Sequence, residues 1–304
     1  MTLKFTILGS GSSGGVPRPA LGWGNCDPSN PKNRRRRTSL LVERRVSLLR
    51  ETGEGNHARG PDRSRRDGDP EQGGGGATRV LVDTSPDLRE QLLDAAVDRL
   101  DGVLYTHEQA DHTHGIDDLR SLFIKHRRLI DVYLDEPTAE MMRLRFGYCF
   151  KSPPGSGYPP IVRERRLTAG QPITVVGPGG PLTALPFLQE HGDIASLDFR
   201  FGSVAYSCDL NGLSPESAAA LTGLDVWIVD ALRDRPHPSH FSVADALAWI
   251  ERIEPSHAIL TNLHADLDYE VLRAKLPAHV EPAFDGMIFC AAESEDAVKE
   301  GNIP

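Results

Sequence analysis

An α/β domain is the fold class that the sequence predicts. Three observations carry it. Short runs rich in Val, Ile, Leu and aromatics, bounded by Gly, Pro, Asp or Ser, recur along the 304 residues. Segments with helical periodicity are interspersed among them. No second composition regime divides the chain, which is long enough to bury a sizeable core.

Taken in order, the expected strands are Leu3–Leu8, Ser39–Val42, Val80–Val82, Gly102–Tyr105, Asp131–Leu134, Ile173–Val176, Ser203–Tyr206, Val226–Val229 and Ala258–Leu260. The expected helices are Pro86–Ala96, Pro137–Phe146, Pro215–Leu221, Val243–Ile253 and Tyr269–Leu276. The Val243–Ile253 helix is the clearest. Ser242 can cap it, Val243, Leu247 and Ile250 form an apolar face, and Pro255 follows its end. Between the second and third strands lies a segment of Gly, Arg and acids that ends in four glycines at Gly76. It has almost nothing apolar to pack, so Arg50–Thr78 reads as a solvated, disordered insertion in one domain spanning residues 1–304.

Composition excludes several classes. No apolar run approaches the roughly 20 residues of a membrane span. The start "MTLKFTILGSG" has none of the three parts of a secretory signal, so a cytoplasmic protein is expected. A net charge of −9 disfavours general nucleic-acid binding. The run "NRRRR" (33–37) and the arginines of the insertion keep a local RNA contact open, with solvated surface as the plainer reading. Cys26, Cys149, Cys208 and Cys290 are far apart and form no C-x-x-C pair, which argues for reduced thiols rather than disulfides or a Cys-only zinc site.

"GSGSSG" (9–14) matches a dinucleotide fingerprint after a strand. The fingerprint needs a helix to begin at its last glycines, and here "GVPRPALGWGN" follows, with two prolines. The turn reads instead as a loop near a site, open to a sugar or a phosphate.

The densest chemistry is "YTHEQADHTHG", where His107, Asp111 and His112 crowd the exit of a strand. Against a His-x-His-x-Asp-His pattern, Gln109 stands where the second His belongs. Imidazole and carboxylate ligands suit Zn, Mn or Fe. Further ligand types follow at later strand ends. They are His191 in "LQEHGD", Asp209 in "YSCD", His237 and His240 in "RPHPSHFS", and Asn262 and His264 in "LTNLH".

With these residues in this order, the chain resembles the metallo-β-lactamase-fold hydrolases. It resembles in particular the branch of phosphoribosyl 1,2-cyclic phosphate phosphodiesterases, which are related to tRNA 3′-processing endonucleases. The motifs are "LGSGSSGGVP", "LVDTSPDLR", "THEQADHTHGIDDLR", "EHGD", "YSCD", "HFS", "ILTNLH" and "FDGM". The resemblance implies a four-layer αββα sandwich and a centre of one or two divalent ions, Zn or Mn. His107 and His191 would bind the first ion, Asp111 and His112 the second, and Asp209 would bridge them. Asp83 would support the metal loop, while Asp111 and His240 are the catalytic candidates, His240 protonating the leaving group. The implied partner is a small phosphate-ester substrate, and a homodimer is left open.

The departures carry their own expectations. Gln109, as a neutral amide ligand, should weaken the first site and give one tight ion or two of unequal affinity. Asn262 replaces a histidine of the family pattern, and His264 is expected to stand in for it. The branch's Cys-rich structural zinc cluster is reduced to "WGNCDPSN", so no structural zinc is expected. The alternatives to a phosphodiesterase are an RNA-processing nuclease of the same fold and a weakened metal- or ligand-binding homologue, such as the pyrroloquinoline quinone biosynthesis B protein.

Overall fold

The computed structural model describes residues 2–45 and 76–292. Two seven-stranded sheets lie face to face. The first contains β1 (Thr2–Gly9), β2 (Ser39–Arg45), β3 (Ala77–Val82), β4 (Gly102–Leu104), β5 (Ile130–Leu134) and β6 (Val162–Arg166), with β14 (Met287–Ala292) on the open side of β1. The second runs in chain order from β7 (Ile173–Gly177) and β8 (Gly180–His191) through β9 (Ile194–Phe201), β10 (Val204–Ser207), β11 (Val226–Asp230), β12 (His257–Thr261) and β13 (Val280–Pro282).

Side-chain alternation explains the layering. Leu3, Phe5 and Ile7 of β1, Leu40 and Val42 of β2, and Val80 and Val82 of β3 all enter the core between the sheets. Leu8, Leu41 and Leu81 point the other way, into a second core. That outer core is covered by α1 (Leu88–Asp94), the single-turn α2 (Ala110–Thr113), α3 (Arg120–His126) and α4 (Glu136–Phe150). The second sheet mirrors this. Tyr206, Ile228 and Ile259 face inward, while Ala205, Trp227, Val229 and Leu260 pack under α5 (Pro215–Ala219), α6 (Val243–Ile253) and α7 (Tyr269–Lys275). Strand period two thus gives each sheet two apolar faces and the molecule four layers. Phe199 is fully buried between the sheets. Phe199→Ala is expected to cost about 3–5 kcal/mol, measured as a lowered urea midpoint at unchanged m-value.

Several expectations change in detail. The part of the Arg50–Thr78 segment up to residue 75 lies outside the described residues, and Ala77 and Thr78 already belong to β3, paired with Arg45 and Arg44. The α4 helix runs past the expected end at Phe146, where φ −129° and ψ 31° mark a kink. α6 has the expected bounds. The Ser242 side chain accepts from Asp245 N, and the Asp245 carboxylate accepts from Ser242 N, a reciprocal cap. All four cysteines are free, and only Cys290 is exposed. Among the described residues no helix is long and apolar enough to cross a membrane.

The glycines of "GSGSSG" serve close packing. A Cβ on Gly9 would fall 1.9 Å from Arg37 O, and one on Gly11 2.8 Å from Arg35 Cβ. Nor is "NRRRR" a free basic strip. Arg36 pairs with Asp94, Arg37 pairs with Asp87 at 2.8 Å, and Arg35 is 2% exposed. The Arg35 guanidinium donates to Leu267 O at 2.7 Å, His264 O at 3.2 Å and Asn33 Oδ1 at 3.3 Å. It ties the N-terminal loop to the chain that follows β12, in the region where Cys26 stands alone.

Candidate metal centre

Both sheets end their strands on one rim, and that rim gathers the polar residues. Asp83 follows β3, His107 follows β4, and His191 ends β8. Asp209 follows β10, Asp230 ends β11, and Asn262 follows β12. Asp83, Asp209 and Asn262 all adopt left-handed backbone, with φ of 62°, 55° and 60°. Asp and Asn tolerate that region better than other non-glycine residues, and such strain concentrates at functional sites. Here it turns each chain sharply at its strand exit, so that the side chains converge.

Asp209 is the hub. Its Oδ2 lies 2.9 Å from His112 Nε2, 3.5 Å from His107 Nε2 and 4.0 Å from His191 Nε2. His112 Nε2 is also 3.5 Å from Asp111 Oδ2. The opposite ring nitrogens are fixed from behind. Asp83 Oδ2 holds His112 Nδ1 at 2.7 Å, Thr106 Oγ1 lies 2.9 Å from His107 Nδ1, and His191 Nδ1 donates to Ser239 O at 2.7 Å. Asp83 in turn accepts from Thr106 N at 2.9 Å and Thr106 Oγ1 at 2.8 Å. His107 Nε2 and His112 Nε2 are buried and form no hydrogen bond of proper geometry. Buried polar atoms are rarely left so.

The charges point the same way. Burial, and then the charge of His112, press His107 down to about 3. Burial also works against a charged His112, yet Asp209, Asp111 and Asp83 outweigh it and raise this imidazole well above its ordinary value. Burial should raise Asp209, but His112, His240 and His107 hold it below the usual carboxylate range. A cluster of buried carboxylates that calls for a cation, with imidazole nitrogens that lack a well-formed hydrogen bond, fits a divalent metal. Four groups have ligand atoms within 4.8 Å of one another: His107 with His191 and Asp209, Asp111 with His112 and Asp209, Asp209 with Asp230 and His240, and Asp83 with His112 and Cys208. The first two gather the imidazole nitrogens that lack a well-formed hydrogen bond and are the triads suited to the ions.

A second group adjoins. His240 Nδ1 lies 2.7 Å from Asp230 Oδ2 and 3.8 Å from Asp209 Oδ1. Burial opposes a charged His240, but the hydrogen bond and charge of Asp230 and the charge of Asp209 raise it to about 9. Asp230 was not singled out by sequence reasoning. Its signal was there: three neighbouring strands, β10 to β12, all exit into Asp or Asn, at Asp209, Asp230 and Asn262.

Two expected ligands stand elsewhere. Asn262, and not His264, points at the hub, with its Nδ2 donating to Asp209 Oδ1 at 2.6 Å. His264 belongs to none of the converging His and Asp groups. Its Nδ1 accepts from Asp266 N at 3.1 Å, and its backbone is fixed by Leu232 O at 2.9 Å and by Arg35. Gln109 precedes α2 as an exposed residue at the mouth of the centre, and among the described residues its side chain has no hydrogen-bond partner. The cleft over the centre, about 250 Å³, is walled by Ser12, Arg18, Arg233, His237 and His264.

Comparison with known proteins agrees with this geometry. The family description "Beta-lactamase superfamily domain" matches residues 78–262. A solved diphosphatase of the PhnP family is 30% identical, covering 96% of this chain and 98% of its own, with a TM-score of 0.77. Zinc-bound PqqB from Methylobacterium extorquens shares the fold at 16% identity, 94% and 99% coverage and a TM-score of 0.63. Human tRNase Z, short form, does so at 14% identity, 94% and 98% coverage and a TM-score of 0.56. An octanoyltransferase of Porphyromonas gingivalis is 31% identical over 288 residues, which are 94% of this chain and 51% of that protein. The chain thus spans about half the length of that curated relative.

Proposed function

Since the chain belongs to the beta-lactamase superfamily and, within it, to the PhnP family, we propose that it is a cytoplasmic, metal-dependent phosphodiesterase acting on a small cyclic phosphate or nucleotide-like diester. One observation carries this reading. The Asp209 carboxylate meets three imidazoles within 4.0 Å at the floor of a cleft whose wall bears Arg18 and Arg233.

His107, His191 and Asp209 would hold one ion, and Asp111, His112 and Asp209 the other. Ions there supply Lewis-acid charge to phosphoryl oxygens and lower the pKa of water towards neutrality. The remaining work is done by this chain's side chains. Asp83 and Thr106 fix the rings of His112 and His107 from behind. Asn262 occupies the second oxygen of Asp209 and so sets the carboxylate's rotation. Asp230 accepts a hydrogen bond from His240 Nδ1–H, which leaves Nε2–H as a donor for the departing oxygen. Arg18 donates to Ser12 Oγ at 3.0 Å, and its Nε is buried without a partner, a cation suited to a phosphate.

Two measurements test this together: metal content after purification without chelator, and turnover of bis(p-nitrophenyl) phosphate. Bound metal with turnover that His107→Ala abolishes supports the reading. Metal without turnover, with activity appearing in Gln109→His, supports the weakened homologue instead. A strong preference for structured RNA over small diesters would favour the nuclease, for which the carboxylate-paired Arg36 and Arg37 offer no free strip.

A further inference from the structure

The centre opens on two sides, and Gln109 borders both. One opening is the 250 Å³ cleft, which carries Arg18, Arg233, His237 and His264. The other, about 490 Å³, is lined by Gln109, His191, Gly192, Asp193, Ile194 and Pro238, with Ser239 at its edge. It has no lysine or arginine, and its exposed charge is the Asp193 carboxylate. The first opening offers an anion its two arginines, beside the Asp111 and Asp209 carboxylates that the proposed ions would cover. The second repels anions and offers hydroxyls and backbone instead.

The residue between them is the one that departs from the His-x-His-x-Asp-His pattern. The ligands proposed for the first ion are buried, with His107 1%, His191 3% and Asp209 2% exposed. Gln109 is exposed, and its amide is free. Its backbone carbonyl is already committed, accepting from His112 N at 3.1 Å and Thr113 Oγ1 at 2.9 Å, so the residue's position is rigid while its side chain is available. A primary amide offers two donors and an acceptor, which suits a hydroxyl better than a cation.

We infer that Gln109 is a specificity-determining residue that reads substrate, not a metal ligand. The substrate lies across it, with an anionic arm towards Arg18 and Arg233 and an uncharged, hydroxyl-bearing arm over Gly192 and Ile194, hydrogen-bonded by the Gln109 amide. The anionic arm rests on the phosphodiester reading of the same cleft, whereas the role of Gln109 does not require turnover.

The test compares wild type with Gln109→Ala, an exposed change that removes no hydrogen bond from the fold. Zinc content is measured by mass spectrometry, and calorimetry on the zinc-loaded protein follows inorganic phosphate and glycerol phosphate. The expected result is unchanged zinc content, unchanged phosphate affinity, and about tenfold weaker glycerol phosphate binding, the loss of one hydrogen bond to a neutral group. A drop in zinc content in Gln109→Ala would make the residue a ligand and overturn the inference. So would equal effects on the two probes, or no effect on either. If the binding results hold but no diester is hydrolysed, the inference stands and the phosphodiesterase reading falls.

Discussion

Asp209→Ala is expected to empty the centre. The zinc content of the purified variant should fall to near zero, and phosphodiester turnover should fall by more than the roughly 10–100-fold typical of losing an outer partner of a metal ligand. The reason is that Asp209 belongs to three of the four candidate groups, among them both triads assigned to the ions, and no other single residue removes a ligand from each of those two. The variant should also lose the thermal response to metal. Zinc added to the wild type should raise its midpoint by binding the folded chain, and the rise should vanish in Asp209→Ala. In chelator-treated protein the two should differ with pH. His112 is raised well above its ordinary value, with Asp209 the first of the carboxylates that raise it, so its contribution to stability is complete below the unfolded value of about 6.5 and fades as pH climbs through the folded value. The stability gap between wild type and Asp209→Ala, both metal-free, is therefore wider at pH 6 than at pH 9. Full zinc content in Asp209→Ala would remove the hub from the centre.

How much of this was legible depended on what kind of signal each part leaves. Strands with one clean apolar face announced themselves, as in Leu3, Phe5 and Ile7 of β1. β8 was seen only at its His191 end, because Pro181 and Pro186 look like breakers. Pro186 is tolerated since pairing with β7 ends at Ala184, so its missing N–H costs no bond on that side. β6, "VRERR", was hidden by its charge, which suits a strand at the edge of the sheet. In the site, local crowding made His107, Asp111 and His112 visible. His191 and Asp209 gained meaning only from their order. Spacing could not tell whether Asn262 or His264 faces the hub, because that depends on the left-handed turn at Asn262 and on Arg35 holding the chain beyond it. Asp230 carried no motif at all and is recognisable only as one of three polar exits from adjacent parallel strands.

Asp230→Asn is expected to leave the metal content intact and to change the pH dependence. Asp230 belongs to neither triad assigned to the ions, and in the group it forms with Asp209 and His240 its carboxylate is taken up by His240 Nδ1, 2.7 Å away. In the wild type a donor raised to about 9 remains protonated across the neutral range, so the alkaline limb of the pH–kcat profile falls late. An amide in place of the carboxylate removes the counter-charge and turns an acceptor into a group that can present N–H to Nδ1. Burial, which already opposes the charged ring, then acts with less resistance, and the limb moves to lower pH, towards the ordinary histidine value of about 6.5. Turnover at pH 8.5 should drop by about 10–100-fold, up to the low end of the typical contribution of a positioned acid, while the loss at pH 6 is smaller. A leaving group that needs no proton provides the control, since diesters of p-nitrophenol should be affected far less than diesters of simple alcohols. Equal losses for both leaving groups at every pH would mean that Asp230 supports the architecture of the centre and does not tune His240 as the acid.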